Sequence, residues 1–311
     1  MPIALIIASL MLQAGTEGYL TGRVEVGDSL LFSFAAFAVT SLVFTGALLL
    51  RRALGGEPVA PAPAHRPAAL RLVLAMNVAT AVTFLGFYVA LPWVPAVLAN
   101  SVMAGVGPLA VAVLDPRHRT SPAGWARAVA LLAASLVVAA WTHDGGGAAG
   151  FAVLPGLLLV LLAGFGAAYI AQLSSRLAGV GAPPAWVTAH RFHLTYAAAA
   201  LLLLTREAGP AAGGGLSLPA TALAAIAGVT VPLYLLQIGL QRTRPVIAMV
   251  LLTTLPGLAY AGQVAFGDTF DPWQLAVVCA FMVLAGFCAR AESRTPPAAV
   301  APRPRPVTTS P

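Results

Sequence analysis

The sequence predicts an all-α integral membrane protein of about ten transmembrane helices, arranged as two inverted five-helix repeats. Three observations predict this class. The 311-residue chain is 59% hydrophobic and 9% charged with a mean hydropathy of +0.88, which is too apolar for a soluble fold. Its apolar runs recur with lengths of about 20 residues, enough to cross a bilayer. The interval from Pro108 to Trp125 also recurs from Pro256 to Trp273.

Ten apolar runs account for the predicted helices. The clearest spans are residues 30–50, 69–91, 94–114, 151–173, 218–240, 245–265 and 271–289. Shorter or more polar spans are predicted at 3–21, 123–141 and 186–204. Glycine and proline inside these runs, such as Gly105, Pro108 and Pro256, are common in membrane helices. Because the N-terminus lacks the basic region of a signal peptide, we interpret it as part of the first span.

The two halves define the predicted domains. Residues 1–141 form the first five-helix repeat and residues 151–290 the second, inverted repeat. Residues 291–311 are rich in Pro, Arg and Thr and are expected to form a disordered cytoplasmic tail. Five spans separate equivalent positions, so equivalent turns should lie on opposite sides of the membrane. The turn 115–119 is accordingly basic, whereas its counterpart 267–272 is acidic.

The arginines set the predicted orientation. With a cytoplasmic N-terminus and ten spans, the outside loops carry only Arg23 and Arg206. The inside loops and tail carry Arg51, Arg52, Arg66, Arg71, Arg117, Arg119, Arg176, Arg242, Arg244, Arg290, Arg294, Arg303 and Arg305. Positive residues concentrate on the cytoplasmic side of membrane proteins. We therefore expect a multi-pass protein of the inner (cytoplasmic) membrane with both termini in the cytoplasm.

The composition and motifs argue against several other functions. The net charge of +7 comes from arginines in short loops, which does not favour nucleic acid as a partner. The glycine runs 145–147 and 213–215 lack the lysine and hydroxyl of a phosphate-binding loop, so no nucleotide cofactor is expected. His190 and His193 have no acidic or cysteine neighbours and make a weak metal site.

The repeats and their motifs resemble the drug/metabolite transporter superfamily, and specifically its EamA-like members. The residues that carry the resemblance are 87–91, 99–101 leading to Pro108, the turn with Asp115 before Trp125, 189–192, 232–234 and 255–256. The resemblance covers roughly residues 1 to 290. It implies a ten-helix carrier with a central cavity for small metabolites that are usually exported.

Ionisable groups inside the spans are the first candidates for function. Glu17 lies in the first span beside Gln13 and Tyr19, where a carboxyl group could bind an amine or exchange a proton. The alternative is that the span ends early and leaves Glu17 at the outer interface. Arg191 could bind a substrate carboxylate or phosphate, or could anchor its helix by snorkelling to the cytoplasmic interface.

Uncharged polar residues complete the candidate site. Tyr-x-x-Gln recurs as Tyr169/Gln172, Tyr234/Gln237 and Tyr260/Gln263, and residues three apart share a helix face. The candidates for substrate binding or coupling are Glu17, Tyr88, Asn100, Arg191, Tyr234, Gln237, Tyr260 and Gln263. For each uncharged member, a hydrogen bond between helices is an equally good explanation.

The sequence therefore favours a non-enzymatic secondary transporter that moves a small, amino-acid-like metabolite by alternating access. Its expected partners are a small-molecule substrate, the lipid bilayer and protons; a homodimer is left open, and no cofactor is expected. Multidrug efflux is the alternative within transport. A membrane-embedded lipid-modifying enzyme is the alternative from another class, although Asp115, His118, Glu57 and His65 lack the spacing of a catalytic group.

Overall fold

The computed structural model describes residues 2–21, 26–56, 59–114, 121–143, 150–205, 223, 225–243 and 245–293. Every regular element in these ranges is helical. The first half contains α1 (Pro2–Leu20), α2 (Val26–Ala53), α3 (Arg66–Ala90), α4 (Ala96–Leu114) and α5 (Pro122–His143). The second half contains α6 (Gly150–Gly179), α7 (Pro184–His190), α8 (His193–Leu204), α9 (Val231–Arg242), α10 (Pro245–Leu252), α11 (Leu255–Ala265) and α12 (Pro272–Ser293).

The described helices have the length and composition of membrane spans. Six are long and apolar enough to cross a bilayer: Pro2–Leu20, Val26–Ala53, Pro63–Ala90, Ala96–Leu114, Val153–Gly179 and Ile247–Ala265. Two shorter apolar helices are Pro122–Val137 and Pro272–Cys288. The prediction of an all-α fold is confirmed, and the apolar helices fit a multi-pass membrane protein.

The second half contains interruptions that the hydrophobic pattern did not predict. The run 186–204 is split into α7 and α8 at Arg191 and Phe192, and the run 245–265 is split into α10 and α11 at Thr253 and Thr254. A π-helical turn, Ile226–Thr230, precedes α9. Pro256 helps to explain the second break, because proline cannot donate the next helical hydrogen bond. In α4, by contrast, Pro108 lies inside a continuous helix.

The interior of the bundle is mainly apolar, and it also holds the polar side chains of its helices. In α1 the buried face includes Ser9, Gln13 and Glu17, whereas Ile7 and Met11 on the opposite face are exposed. Large exposed aliphatic side chains are expected where a helix faces lipid. Polar residues on an inner face therefore meet other helices, and these contacts build the candidate site.

Helix packing joins the first half of the chain to the second half. α1 packs most extensively against α9 and α11, and α6 packs most extensively against α3 and α4. α2 lies against the broken pair α7 and α8, and α5 lies against α12. Several predicted features fall outside the described residues, namely the turn 115–119, the glycine runs 145–147 and 213–215, Glu57, Arg206 and the part of the tail after residue 293.

Candidate functional site

A polar stripe that includes Glu17 runs along the buried face of α1. Ser9, Gln13, Glu17 and Thr21 are each four residues apart, so they lie on one face of the helix. The Ser9 hydroxyl donates to the Pro232 carbonyl at 2.7 Å, and the Gln13 amide donates to the Ser9 oxygen at 2.7 Å. These bonds fix the stripe against α9.

Glu17 bonds to a neighbouring helix. The Asn100 side-chain amide of α4 donates to Glu17 Oε2 at 2.7 Å, and the two side chains are only 1% and 5% exposed, respectively. The carboxyl group thus lies inside the helical bundle. The Asn100 carbonyl oxygen has no hydrogen-bond partner, so it remains an available acceptor beside the acid.

The break between α7 and α8 is held by Asn77 of α3. The Asn77 amide donates to the His190 carbonyl at 2.7 Å and to the Val73 carbonyl at 3.0 Å. Its own carbonyl oxygen accepts the Leu194 backbone N–H at 3.1 Å. One side chain therefore bonds the last residue of α7 and the first turn of α8, where interrupted helical bonding leaves backbone groups to satisfy.

Arg191 lies at this break and is completely buried. Its Nη1 donates to Gln237 Oε1 of α9 at 2.6 Å, and the guanidinium carbon lies 4.9 Å from the centre of the Phe192 ring. Nε and Nη2 have no hydrogen-bond partner. The guanidinium group therefore lies inside the bundle, bonded to a neighbouring helix.

Glu17 and Arg191 face a common internal cavity. The space open to the centre of a water molecule is about 50 Å³, enough for a few waters. It is lined by Gln13, Glu17, Thr83, Phe84, Phe87, Tyr88, Met103, Ala167, Ile170, Arg191, Leu236, Leu240, Met249, Leu252 and Leu255. Each charged group bonds a neutral amide, Asn100 or Gln237, and the described residues hold no bond between the two charges.

Aromatic rings form one wall of the cavity. The Phe87 and Tyr88 rings meet at 5.5 Å, and Tyr88 also contacts Phe32 at 5.4 Å between ring centres. Phe37 stacks on Phe192 at 5.2 Å and thereby connects this wall to the break beside Arg191. Edge-to-face contacts of this kind are favourable and restrict ring motion. The wall offers an apolar surface to the carbon skeleton of a ligand.

The structure brings five of the eight predicted site residues to this cavity. Glu17, Tyr88 and Arg191 line it, and Asn100 and Gln237 bond the two charged groups. The other three are elsewhere. The Tyr234 ring packs 4.7 Å from that of Phe44, the Tyr260 hydroxyl bonds the Asp271 backbone, and Gln263 lies where α11 packs against α1.

Two contributors were absent from the predicted set. Asn77 bonds both sides of the α7–α8 break, and Thr83 lines the cavity. Asn77 could have been recognised from the sequence, because it is an asparagine within an apolar run long enough to span a membrane. In the described ranges no three His, Cys, Asp or Glu side chains come together as metal ligands. His190 stacks instead on Trp186 at 4.9 Å, and His193 bonds the Tyr196 hydroxyl.

Comparison with known proteins supports the fold alone. No family model and no curated protein matches the chain. A solved structure described only as "Crystal structure of protein" aligns with a TM-score of 0.63 and 21% sequence identity, over 94% of this chain and 98% of that chain. At this identity the similarity establishes that the overall fold occurs in a known structure. The two chains thus share an overall fold over nearly all of their lengths.

Proposed function

We propose that this protein is a secondary transporter that moves a small, amino-acid-like organic metabolite across the cytoplasmic membrane by alternating access. The observation that carries the proposal is a pair of ionisable side chains, the acid Glu17 and the base Arg191, buried on one cavity between apolar helices. A charged residue within a membrane span costs about 2.5–3.5 kcal/mol on insertion scales. Two such groups that face a shared cavity without bonding each other are positioned for a ligand.

Helix packing supports ten spans in two inverted repeats. If the first five spans correspond to the last five, α1 is equivalent to α6 and α3 to α9. The packing of α3 on α6 then has its counterpart in the packing of α9 on α1, and both contacts are extensive. Likewise, α4 on α6 corresponds to α11 on α1. Transporters commonly place their binding site between such repeats.

The interrupted helices also support transport. The broken pairs α7–α8 and α10–α11 both belong to the second half, and residues from both pairs line the cavity. Discontinuous helices near the membrane centre are typical of transporter binding sites. The resemblance to EamA-like members of the drug/metabolite transporter superfamily agrees with this role, and export is the direction that it implies.

The size of the cavity fits an occluded state. About 50 Å³ admits a few water molecules but not an organic metabolite, so the helices must separate to load a substrate. Both breaks adjoin this cavity and offer positions at which short helices can move. Alternating access follows if the bundle opens first to one side and then to the other.

Proton coupling is assigned to Glu17. A carboxyl group with a single neutral hydrogen-bond partner can release a proton to one side and accept one from the other as access changes. Binding an amine and binding a proton would then compete for the same group. Multidrug efflux is the second candidate, because the acid beside Phe84, Phe87 and Tyr88 also suits an aromatic cation.

Transport in proteoliposomes tests the proposal. Purified wild-type protein should move at least one compound from a labelled panel of amino acids, related metabolites and aromatic cations, faster with an imposed pH gradient than without it. Transport of the aromatic cations alone would favour drug efflux over metabolite export. The transporter assignment fails if no compound moves under any gradient while the same vesicles contain folded protein.

A further inference from the structure

Arg191 has one complete edge of its guanidinium group free. Nη1 is occupied by Gln237, whereas Nε and Nη2 have no hydrogen-bond partner and the side chain is 0% exposed. Nε and Nη2 point from the same edge of the planar group, which is the pair of donors that binds a carboxylate through two parallel hydrogen bonds. A buried guanidinium with two unused donors is costly unless something else satisfies it.

The described residues do not supply the missing partner. Among the described residues no carboxylate pairs with Arg191, and Glu17 on the same cavity accepts its hydrogen bond from Asn100. The Gln237 amide nitrogen is also unpartnered and buried beside the guanidinium. The break therefore presents three nitrogen atoms with unused N–H donors around one positive charge. No negatively charged group among the described residues bonds to them.

From this arrangement we propose that the α7–α8 break holds a carboxylate-binding subsite, in which the Nε and Nη2 donors of Arg191 hold the carboxylate of the transported molecule. The proposal rests on the proposed transport function and names the chemical class of the substrate. Gln237 keeps Nη1 in place and offers its own amide nitrogen to the same anion. The aromatic wall beside Phe192 leaves the carbon skeleton on the apolar side of the cavity.

Charge balance favours a carboxylate over a phosphate. Arg191 is the only arginine on the described lining, and it matches one negative charge. A phosphate group carries about −1.5 to −2 charges at neutral pH. Counted against the single positive charge of Arg191, a phosphate leaves about 0.5 to 1 excess negative charge buried, which is strongly unfavourable. A single carboxylate balances the charge of Arg191.

Ligand-dependent melting of the full-length protein in detergent tests this subsite. The probes are the twenty common amino acids, straight-chain and phenyl-substituted monocarboxylates of two to nine carbons, and the carboxamide and amine analogue of each. We expect at least one carboxylate to raise the melting temperature of the wild-type protein, whereas its carboxamide does not. Arg191→Gln should abolish the shift, and Arg191→Lys should weaken the affinity about tenfold because an ammonium cannot bind through two fixed donors.

Arg176→Gln is the matched control, since it removes the same charge from an exposed position in the last turn of α6. It should keep the wild-type response. If Arg191→Gln does not fold, Arg191→Lys and the comparison of carboxylate with carboxamide on the wild-type protein decide the question. The subsite is overturned if no carboxylate stabilises the wild-type protein, if carboxamides stabilise it equally, or if Arg191→Gln responds like the wild type.

The same probes separate this proposal from the transporter assignment. A carboxylate that binds through Arg191 but never crosses the membrane contradicts transport and leaves the subsite intact. Transport of amines that is unchanged by Arg191→Gln contradicts the subsite and leaves transport intact. The two proposals therefore fail in different experiments.

Discussion

The Asn100 amide and the Glu17 carboxylate meet at 2.7 Å, although 83 positions separate them in the chain. This bond joins α1 to α4 inside the bundle, and Glu17 also lines the cavity that Arg191 faces. A neutral partner stabilises the carboxylate without neutralising it. The acid therefore stays available to a proton or to a positively charged ligand.

Glu17→Gln should uncouple transport from the pH gradient. Glutamine keeps the size of the side chain and a carbonyl that can accept the Asn100 bond, but it cannot carry a proton. We expect the melting temperature to stay within a few degrees of wild type, while accumulation driven by a pH gradient falls to the level of simple exchange. Labelled substrate uptake with and without the gradient measures this. Asp268→Asn, which changes an exposed acid, is the control, and its transport should remain coupled to the pH gradient. If Glu17→Gln still accumulates substrate in response to the gradient, Glu17 is not part of the coupling mechanism.

Asn100→Leu should destabilise the protein because it leaves a buried carboxylate without its partner. An unsatisfied buried polar group costs about 1–3 kcal/mol. In the double variant Glu17→Leu/Asn100→Leu neither polar group remains, so the loss should be smaller than the sum of the two single losses. Denaturant titration of the three variants in detergent measures the interaction energy. Additive losses would mean that the pair contributes nothing beyond packing.

The sequence predicted the all-α fold and several of its apolar helices more fully than the site, for a physical reason. Runs such as 69–91 and 94–114 lie close to α3 and α4 because a bilayer requires about 20 apolar residues whatever the helices contact. The breaks at Arg191 and Thr253 were not predicted. Interruption of a helix depends on partners such as Asn77, which lies 113 positions from His190 in the chain. The hydropathy of a single segment gives no information about such a contact.

Asn77→Leu should disturb the Arg191 break more than it disturbs the fold as a whole. It removes the bonds to His190 and Leu194, so both short helices lose the group that satisfies their ends. We expect a loss of about 1–3 kcal/mol in stability together with weaker substrate binding, seen as a KM that rises more than the maximal rate falls. Asn77→Asp keeps the acceptor for Leu194 and should recover part of the affinity.

Thr80→Val is the control for Asn77. Thr80 lies one turn further along α3, is fully buried, and its hydroxyl has no partner, so its removal should be nearly neutral. Equal effects on KM from Thr80→Val and Asn77→Leu would show that any change in α3 disturbs binding. That result would remove the positioning role from Asn77.

Among the candidates from the Tyr-x-x-Gln spacing, only Gln237 reached the charged groups of the cavity. The spacing places each tyrosine and glutamine on one helix face, but it does not say what that face meets. Gln237 meets Arg191, whereas Tyr260 meets the loop before α12 and Tyr234 meets Phe44. Helix periodicity carries no information on which helix is adjacent, and that information decides the site.

Tyr260→Phe should loosen the loop between α11 and α12. The Tyr260 hydroxyl donates to the Asp271 carbonyl at 2.7 Å and accepts the Asp271 backbone N–H at 2.8 Å. Loss of both bonds should cost about 1–2 kcal/mol and increase proteolysis near Asp271 without changing KM. Tyr234→Phe, whose ring packs on Phe44, serves as the control and should keep wild-type resistance. A raised KM in Tyr260→Phe alone would return Tyr260 to the substrate site.

Gly18→Ala should force α1 away from α11, whereas Gly15→Ala should not. A β-carbon at Gly18 would lie 2.6 Å from the backbone nitrogen of Gln263, while one at Gly15 would have no neighbour within 4 Å. Small residues let membrane helices approach closely, and Gly262 completes this contact because a β-carbon there would lie 2.6 Å from the Ala14 carbonyl oxygen. Overpacking costs about 1–3 kcal/mol, so Gly18→Ala should lower the melting temperature by several degrees.

The two glycine substitutions also bear on the mechanism. Glu17 is adjacent to Gly18, so a displaced α1 should lengthen the bond between Glu17 and Asn100 and weaken proton-coupled accumulation as well as stability. Gly15→Ala adds the same methyl group one turn away and should leave both properties at wild-type values. Melting temperature and gradient-driven uptake are measured on the same preparations. If the two variants behave alike, the backbone contact between α1 and α11 is not tight, and Glu17 does not depend on it for its position.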